Sequence, residues 1–97
     1  MAKMFCGNAP EGDEWSLLDE ITDQSIRWNI FEKDQQHSNE WMTYKVCAEG
    51  RAPHKANYWF SRNAVTGQVG FTRDLTAMLD KRPDLYHGIM NLLEKRA

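Results

Sequence analysis

The sequence predicts an α+β domain with an N-terminal helix, a three- or four-stranded antiparallel meander, and a C-terminal helical segment broken near Pro83. Three observations carry this. Apolar residues recur at helical spacing near Trp15, Leu18 and Ile21. From Ser25 onward they alternate with polar residues in short runs, as half-buried strands do. Beyond Leu75 helical spacing returns, with a proline in its middle.

Each element follows in order. Residues 1–12 read as a loose lead-in ending in Pro10 and Gly12. Asp13 can cap a helix with Glu14 in its first turn. Trp15, Leu18 and Ile21, with Leu17 beside them, face away from Asp19, Glu20 and Asp23. Next, Ile26, Trp28 and Ile30 alternate with Arg27, Asn29 and Phe31, which marks a strand. The polar run EKDQQHSNE is turn-like, and WMTYKVCAEG alternates again. Gly50 and Pro53 punctuate a loop. KANYWFSR, a turn near Asn63–Gly67 and the run QVGF complete the meander.

Leu75, Met78 and Leu79 form one helical stripe, and Leu85, Ile89, Leu92 and Leu93 a second. Pro83 separates them because it pushes Arg82 out of the helical region and then starts a new helix, with Asp84 in the first turn. No linker, repeat or low-complexity run divides residues 1–97, so a single domain is expected.

Strand parity sorts the aromatic side chains. Met42, Tyr44 and Val46 share one face, as do Tyr58 and Phe60. Trp41, Thr43, Lys45 and Cys47 take the other, with Trp59 and Ser61. The first face is apolar and suits packing on the helices. The second is mixed, and it meets solvent if the helices cover one side only. A helix or the leading segment wrapped over it would instead bury its rings.

Composition bounds function. The chain has 97 residues, 41% of them hydrophobic, four tryptophans and a formal net charge of −2, which favours a packed core over disorder. Residues 1–50 hold ten acids and four bases, a balance of −6; residues 51–97 hold eight bases and four acids, a balance of +4. The start MAKMFCGNAP lacks a long apolar core, no run approaches transmembrane length, and Ala2 is not a myristoylation acceptor. The expectation is a cytoplasmic protein with reduced thiols and no membrane partner.

Catalytic signatures are missing from the sequence. The candidate metal ligands Cys6, Cys47, His37, His54 and His87 include no C-x-x-C or H-x3-H pair. Cys47, His54 and Asp74 supply residue types for a nucleophile, base and orienter, but nothing in their spacing joins them. There is no G-x-S-x-G elbow and no phosphate-binding glycine loop, and TGQVG reads as a hairpin turn. The carboxylates at Glu11, Asp13 and Glu14, and at Asp19, Glu20 and Asp23, read as a solvated helix start and polar face. No enzyme activity, cofactor or metal is expected.

The segment NYWFSRNAVTGQVGFTRDLTAMLDKRPDLYHGIMNLL, residues 57–93, resembles the C-terminal pattern of short phage and prophage proteins. Tyr58, Trp59, Arg73, Asp74, Leu79, Arg82, Pro83, Leu85 and Tyr86 carry the match. The resemblance implies a mobile-element context, in which proteins of this size often inhibit host machinery, including restriction and CRISPR complexes. The expected function is therefore non-enzymatic binding of a host protein or protein–nucleic-acid complex in the host cytoplasm, with inhibition by steric occlusion. The expected contact residues are Trp41, Lys45, Trp59, Arg62 and Arg51. The alternative is a small single-stranded nucleic-acid binder or regulator using an aromatic and basic sheet face. Against it stand the acidic net charge and the assignment of half the rings to the core face. A homodimer through the same face is compatible with the pattern and would use the same tryptophans.

Overall fold

A computed structural model describes residues 14–34, 40–70 and 72–96. The sheet comprises β1 (Trp15–Asp23), β2 (Ile26–Lys33), β3 (Trp41–Ala48) and β4 (Tyr58–Asn63). Its strand order is β1-β2-β3-β4, with every neighbouring pair antiparallel. A 3₁₀ turn, Pro53–Lys55, links β3 to β4, and the chain ends in α1 (Arg73–Lys81) and α2 (Pro83–Arg96). The α+β class and the antiparallel meander stand. The expected lead-in over residues 1–12 and the cap at Asp13 lie outside the described residues.

The N-terminal helix is corrected: residues 15–23 form the edge strand β1. The cause is a β-bulge. Register slips between Leu17 and Asp19, so Trp15 and Leu17 pair with Lys33 and Phe31, whereas Ile21 and Asp23 pair with Trp28 and Ile26. An extra residue in one strand reverses the parity beyond it. Trp15 and Leu17 therefore share a face with Glu20 and Thr22, while Leu18 and Ile21 turn to the core. Apolar residues at 15, 18 and 21 thus imitate a helical stripe. A two-residue turn closes the hairpin, with Gln24 at φ 52° and Ser25 at φ 67°, the doubly left-handed backbone of a type I′ turn. At the open end Ser16 Oγ donates to Asp34, and Asp34 N donates to Glu14 O at 2.9 Å.

Both helices pack on one side of the sheet. The core joins Trp28 and Ile30 of β2, Tyr44 and Val46 of β3 and Phe60 of β4 to Leu75, Met78, Leu85, Ile89 and Leu93. α1 lies against β4 and α2 against β1. Thr72, with extended backbone, caps α1 by accepting from Leu75 N at 3.0 Å. The predicted break at Pro83 is present. Arg82 leaves the helical region with ψ 65° and reaches the β1–β2 turn. There it stands 3.8 Å from Asp23, donates to Gln24 Oε1 at 3.2 Å, and lies 5.0 Å from the centroid of Trp28.

The expected strand over QVGF reduces, among the described residues, to one bridge between Arg62 and Val69. The turn before it is where sequence placed it. Asn63 Oδ1 accepts from Val65 N and Thr66 N, both at 2.9 Å, and Gly67 supplies φ 80°. We expect Phe60→Ala to lower unfolding free energy by about 3–5 kcal/mol in urea titration. The double substitution Gln24→Asn, Ser25→Gly should raise the same quantity by about 1 kcal/mol by relieving the left-handed turn residues.

Candidate interaction face

The sheet's other face carries no described helix. Register aligns four side chains in a row across all four strands: Leu17 with Phe31, Phe31 with Lys45, and Lys45 with Trp59. The parallel row pairs Trp15 with Lys33, and Thr43 with Ser61, whose hydroxyls lie 3.3 Å apart. Lys45 Nζ stands 4.7 Å from the centroid of Trp15, within cation–π range. Trp41 pairs with Asn63 at the end of the sheet. Three of the chain's four tryptophans thus occupy this face, and only Trp28 belongs to the core.

Exposure is high for such rings. Leu17 is 52%, Trp59 43% and Trp41 37% exposed, and Trp15 and Phe31 are half-buried. The charges on this side are Arg27, Lys33 and Lys45 against Glu20, which pairs with Arg27 at 3.5 Å. A contiguous apolar surface dotted with a few cations fits a macromolecular contact better than a chemical step.

Of the five residues expected to make contact, three are here: Trp41, Lys45 and Trp59. Arg51 is exposed in the loop after β3, where its N donates to Ala48 O at 3.0 Å and its Nη1 to Lys55 O at 3.2 Å. The same loop roofs one end of the face, since Cys47 Sγ meets Ala52 O at 3.7 Å. Arg51 therefore stands at the rim. Arg62 is corrected: its even position in β4 puts it on the helix side with Phe60, where it is buried. Trp15, Leu17 and Phe31 join the face instead. The bulge had hidden the first two by placing them in an apparent helix.

β4 presents no open edge at Trp59. Its N–H donates to Asp74 Oδ2 at 3.0 Å, and its carbonyl receives Thr72 Oγ1 at 3.5 Å. Gly70 N donates to Ser61 O at 2.8 Å and Asn63 N to Gln68 O at 2.7 Å. Asp74, in the first turn of α1, thus serves the strand. Its indole neighbour is thereby held on a rigid backbone.

Among the described residues no His, Cys, Asp and Glu cluster suits a metal, and no helix is long and apolar enough to cross a membrane. Comparison with protein-family models, curated proteins and solved structures finds no match to this chain.

Cys47 is fully buried under its loop, and that burial pushes its thiol pKa up, while Lys45 and Arg51 pull it the other way. In a Cys6→Ser background, the native thiol should react with a disulfide reagent far more slowly than in denaturant at pH 8. The unfolded thiol ionises first as pH rises. The folded state then holds more protons, so this group's contribution to stability is present below the ordinary thiol pKa and is lost as pH climbs through the raised one. Trp41→Ala and Trp59→Ala should each shift unfolding free energy by under about 1 kcal/mol in urea titration, as surface positions do.

Proposed function

We propose that this chain is a non-enzymatic interaction protein that docks the sheet face carrying no described helix onto a host macromolecular complex and inhibits it by occlusion. The row Leu17–Phe31–Lys45–Trp59, flanked by Trp15 and Trp41, is the observation that supports this reading. Aromatic side chains with little rotamer entropy supply most of the affinity at such surfaces, and rim cations such as Arg51 steer association. The C-terminal resemblance to phage proteins points to a defence complex, of restriction or CRISPR type, as the target. A face of this size can cover a site that its target needs without any chemistry of its own.

The ring array also favours a second reading, a stacking platform for single-stranded nucleic acid. Four rings on one open face answer part of the objection raised from sequence. Leu17, exposed on the edge strand β1, and the acidic net charge favour a protein partner.

Inhibition assays on purified restriction and CRISPR effector complexes test the proposal. Wild-type protein should inhibit stoichiometrically. Trp59→Ala and Trp41→Ala should weaken inhibition by roughly 30-fold each, as hot-spot truncations do. Leu79→Ala, on the exposed side of α1, should act as wild type. Equal inhibition by all variants removes the face from the interface, and no inhibition of any effector removes the anti-defence assignment. Binding of a single-stranded oligonucleotide that weakens steeply with salt would transfer the face to nucleic acid.

A further inference from the structure

Arg62 lies on the opposite side of the sheet from the proposed interface, and its surroundings are unusual. It is 7% exposed. Its backbone is committed to the pairings with Met42 and Val69. Among the described residues its guanidinium has no carboxylate in an ion pair and no hydrogen-bond acceptor. A guanidinium carries five donors. Among the described residues the side-chain atoms both shut off from solvent and without a partner are Asp23 Oδ2 and Trp28 Nε1, so the Arg62 donors keep access to the solvent of the cleft they line.

The guanidinium lines a cleft of about 270 Å³ between the end of the sheet and the last turn of α2. Its other polar walls are Arg96, Tyr44 and Glu32, and Met42 and Leu93 supply apolar surface. Ligand pockets of roughly 300–1,000 Å³ hold drug-sized molecules, so this one suits a small group. Glu32 is the sole acid in the lining, and it pairs across the strands with Tyr44. Two cations against one acid leave a net positive charge. The carbonyl ends of α2 oppose an anion there, and Arg96, in the same last turn, offsets them.

We propose that this cleft is an oxyanion site, in which Arg62 grips a carboxylate or phosphate group through its guanidinium fork and Arg96 closes over it. The planar fork matches both groups in bidentate geometry, and a mostly buried arginine is fixed in advance for it. Burial and Glu32 raise the Tyr44 pKa while Arg62 and Arg96 lower it, so both cations act within this cleft. The phenol stays protonated at neutral pH and adds no charge to repel an anion. The site is independent of the sheet-face interface.

Titration of the folded protein with sodium phosphate and with sodium acetate, against sodium chloride at equal ionic strength, tests it. The readouts are the melting temperature and the NMR signal of the Arg62 Nε–H. A saturable response to either oxyanion beyond that of chloride is expected. Arg62→Gln should weaken it roughly tenfold or more, and the exposed Arg96→Gln severalfold. Trp59→Ala should leave it unchanged. Phosphate binding tighter than acetate identifies a phosphoryl ligand, and acetate equal to or tighter than phosphate a carboxylate. A response no larger than that of chloride overturns the site. So does an unchanged response in Arg96→Gln, which decides the matter if Arg62→Gln fails to fold.

Discussion

Asp74 accepts a hydrogen bond from the backbone N–H of Trp59, and the one-sided architecture is anchored at that contact. With Thr72 reaching the carbonyl of the same residue, the start of α1 is tied to the edge of β4. The chain then crosses the inner side of the sheet. α1 is about 14 Å long and α2 about 21 Å at helical rise, and α2 reaches β1 at the far edge. Arg82 fixes the join by fastening to the β1–β2 turn. All the described helical sequence is consumed in covering one face. Among the described residues the other is left to its own side chains, and these include three indoles.

Parity was legible wherever the ladder is regular. Trp41, Lys45 and Trp59 on one side, and Tyr44, Val46 and Phe60 on the other, follow from counting residues along β3 and β4. The break at Pro83 was legible because it rests on covalent geometry. β1 was not, because a bulge is a choice of hydrogen-bond register, decided by tertiary pairing with β2. The same slip concealed Trp15 and Leu17 as members of the face. Arg62 had a readable signal that was passed over: its even number shares parity with Phe60. A basic residue beside aromatics suggested a surface role, but in a strand the count of residues outranks residue type. The cleft around Arg62 was illegible for another reason. It brings together residues from β2, β3, β4 and the end of α2, and no spacing in sequence encodes that meeting.

The sheet edges sharpen the reading of the face. At β4 the outward groups of Trp59, Ser61 and Asn63 are taken by Asp74, Thr72, Gly70 and Gln68. At β1 the bulge twists the strand, and Asp19 and Glu20 place charge beside it, with Asp19 Oδ1 accepting from Glu20 N at 2.7 Å. Both are devices that discourage strand addition by another chain. Recognition by backbone pairing is thus disfavoured at each edge, and the described strands offer a partner their side-chain surface. That surface is held rigidly. Cross-strand pairing at every ring position leaves little conformational freedom to lose on binding.

A domain of this size has little stability to spare. The open face leaves large apolar area in water, and the Arg62 guanidinium stands in its cleft with no acceptor among the described residues. Neither feature helps the fold. The inner core closes without them, since Phe60, Met78, Leu85 and Ile89 are fully buried and contiguous. Features that cost stability and are not needed for packing are the places to look for binding, because a ligand that covers the rings or satisfies the guanidinium recovers the deficit when it binds. By that argument the two proposed roles fall on opposite sides of the sheet, a flat aromatic surface for a large partner and a small cationic cleft for an oxyanion, with the strand register keeping them apart.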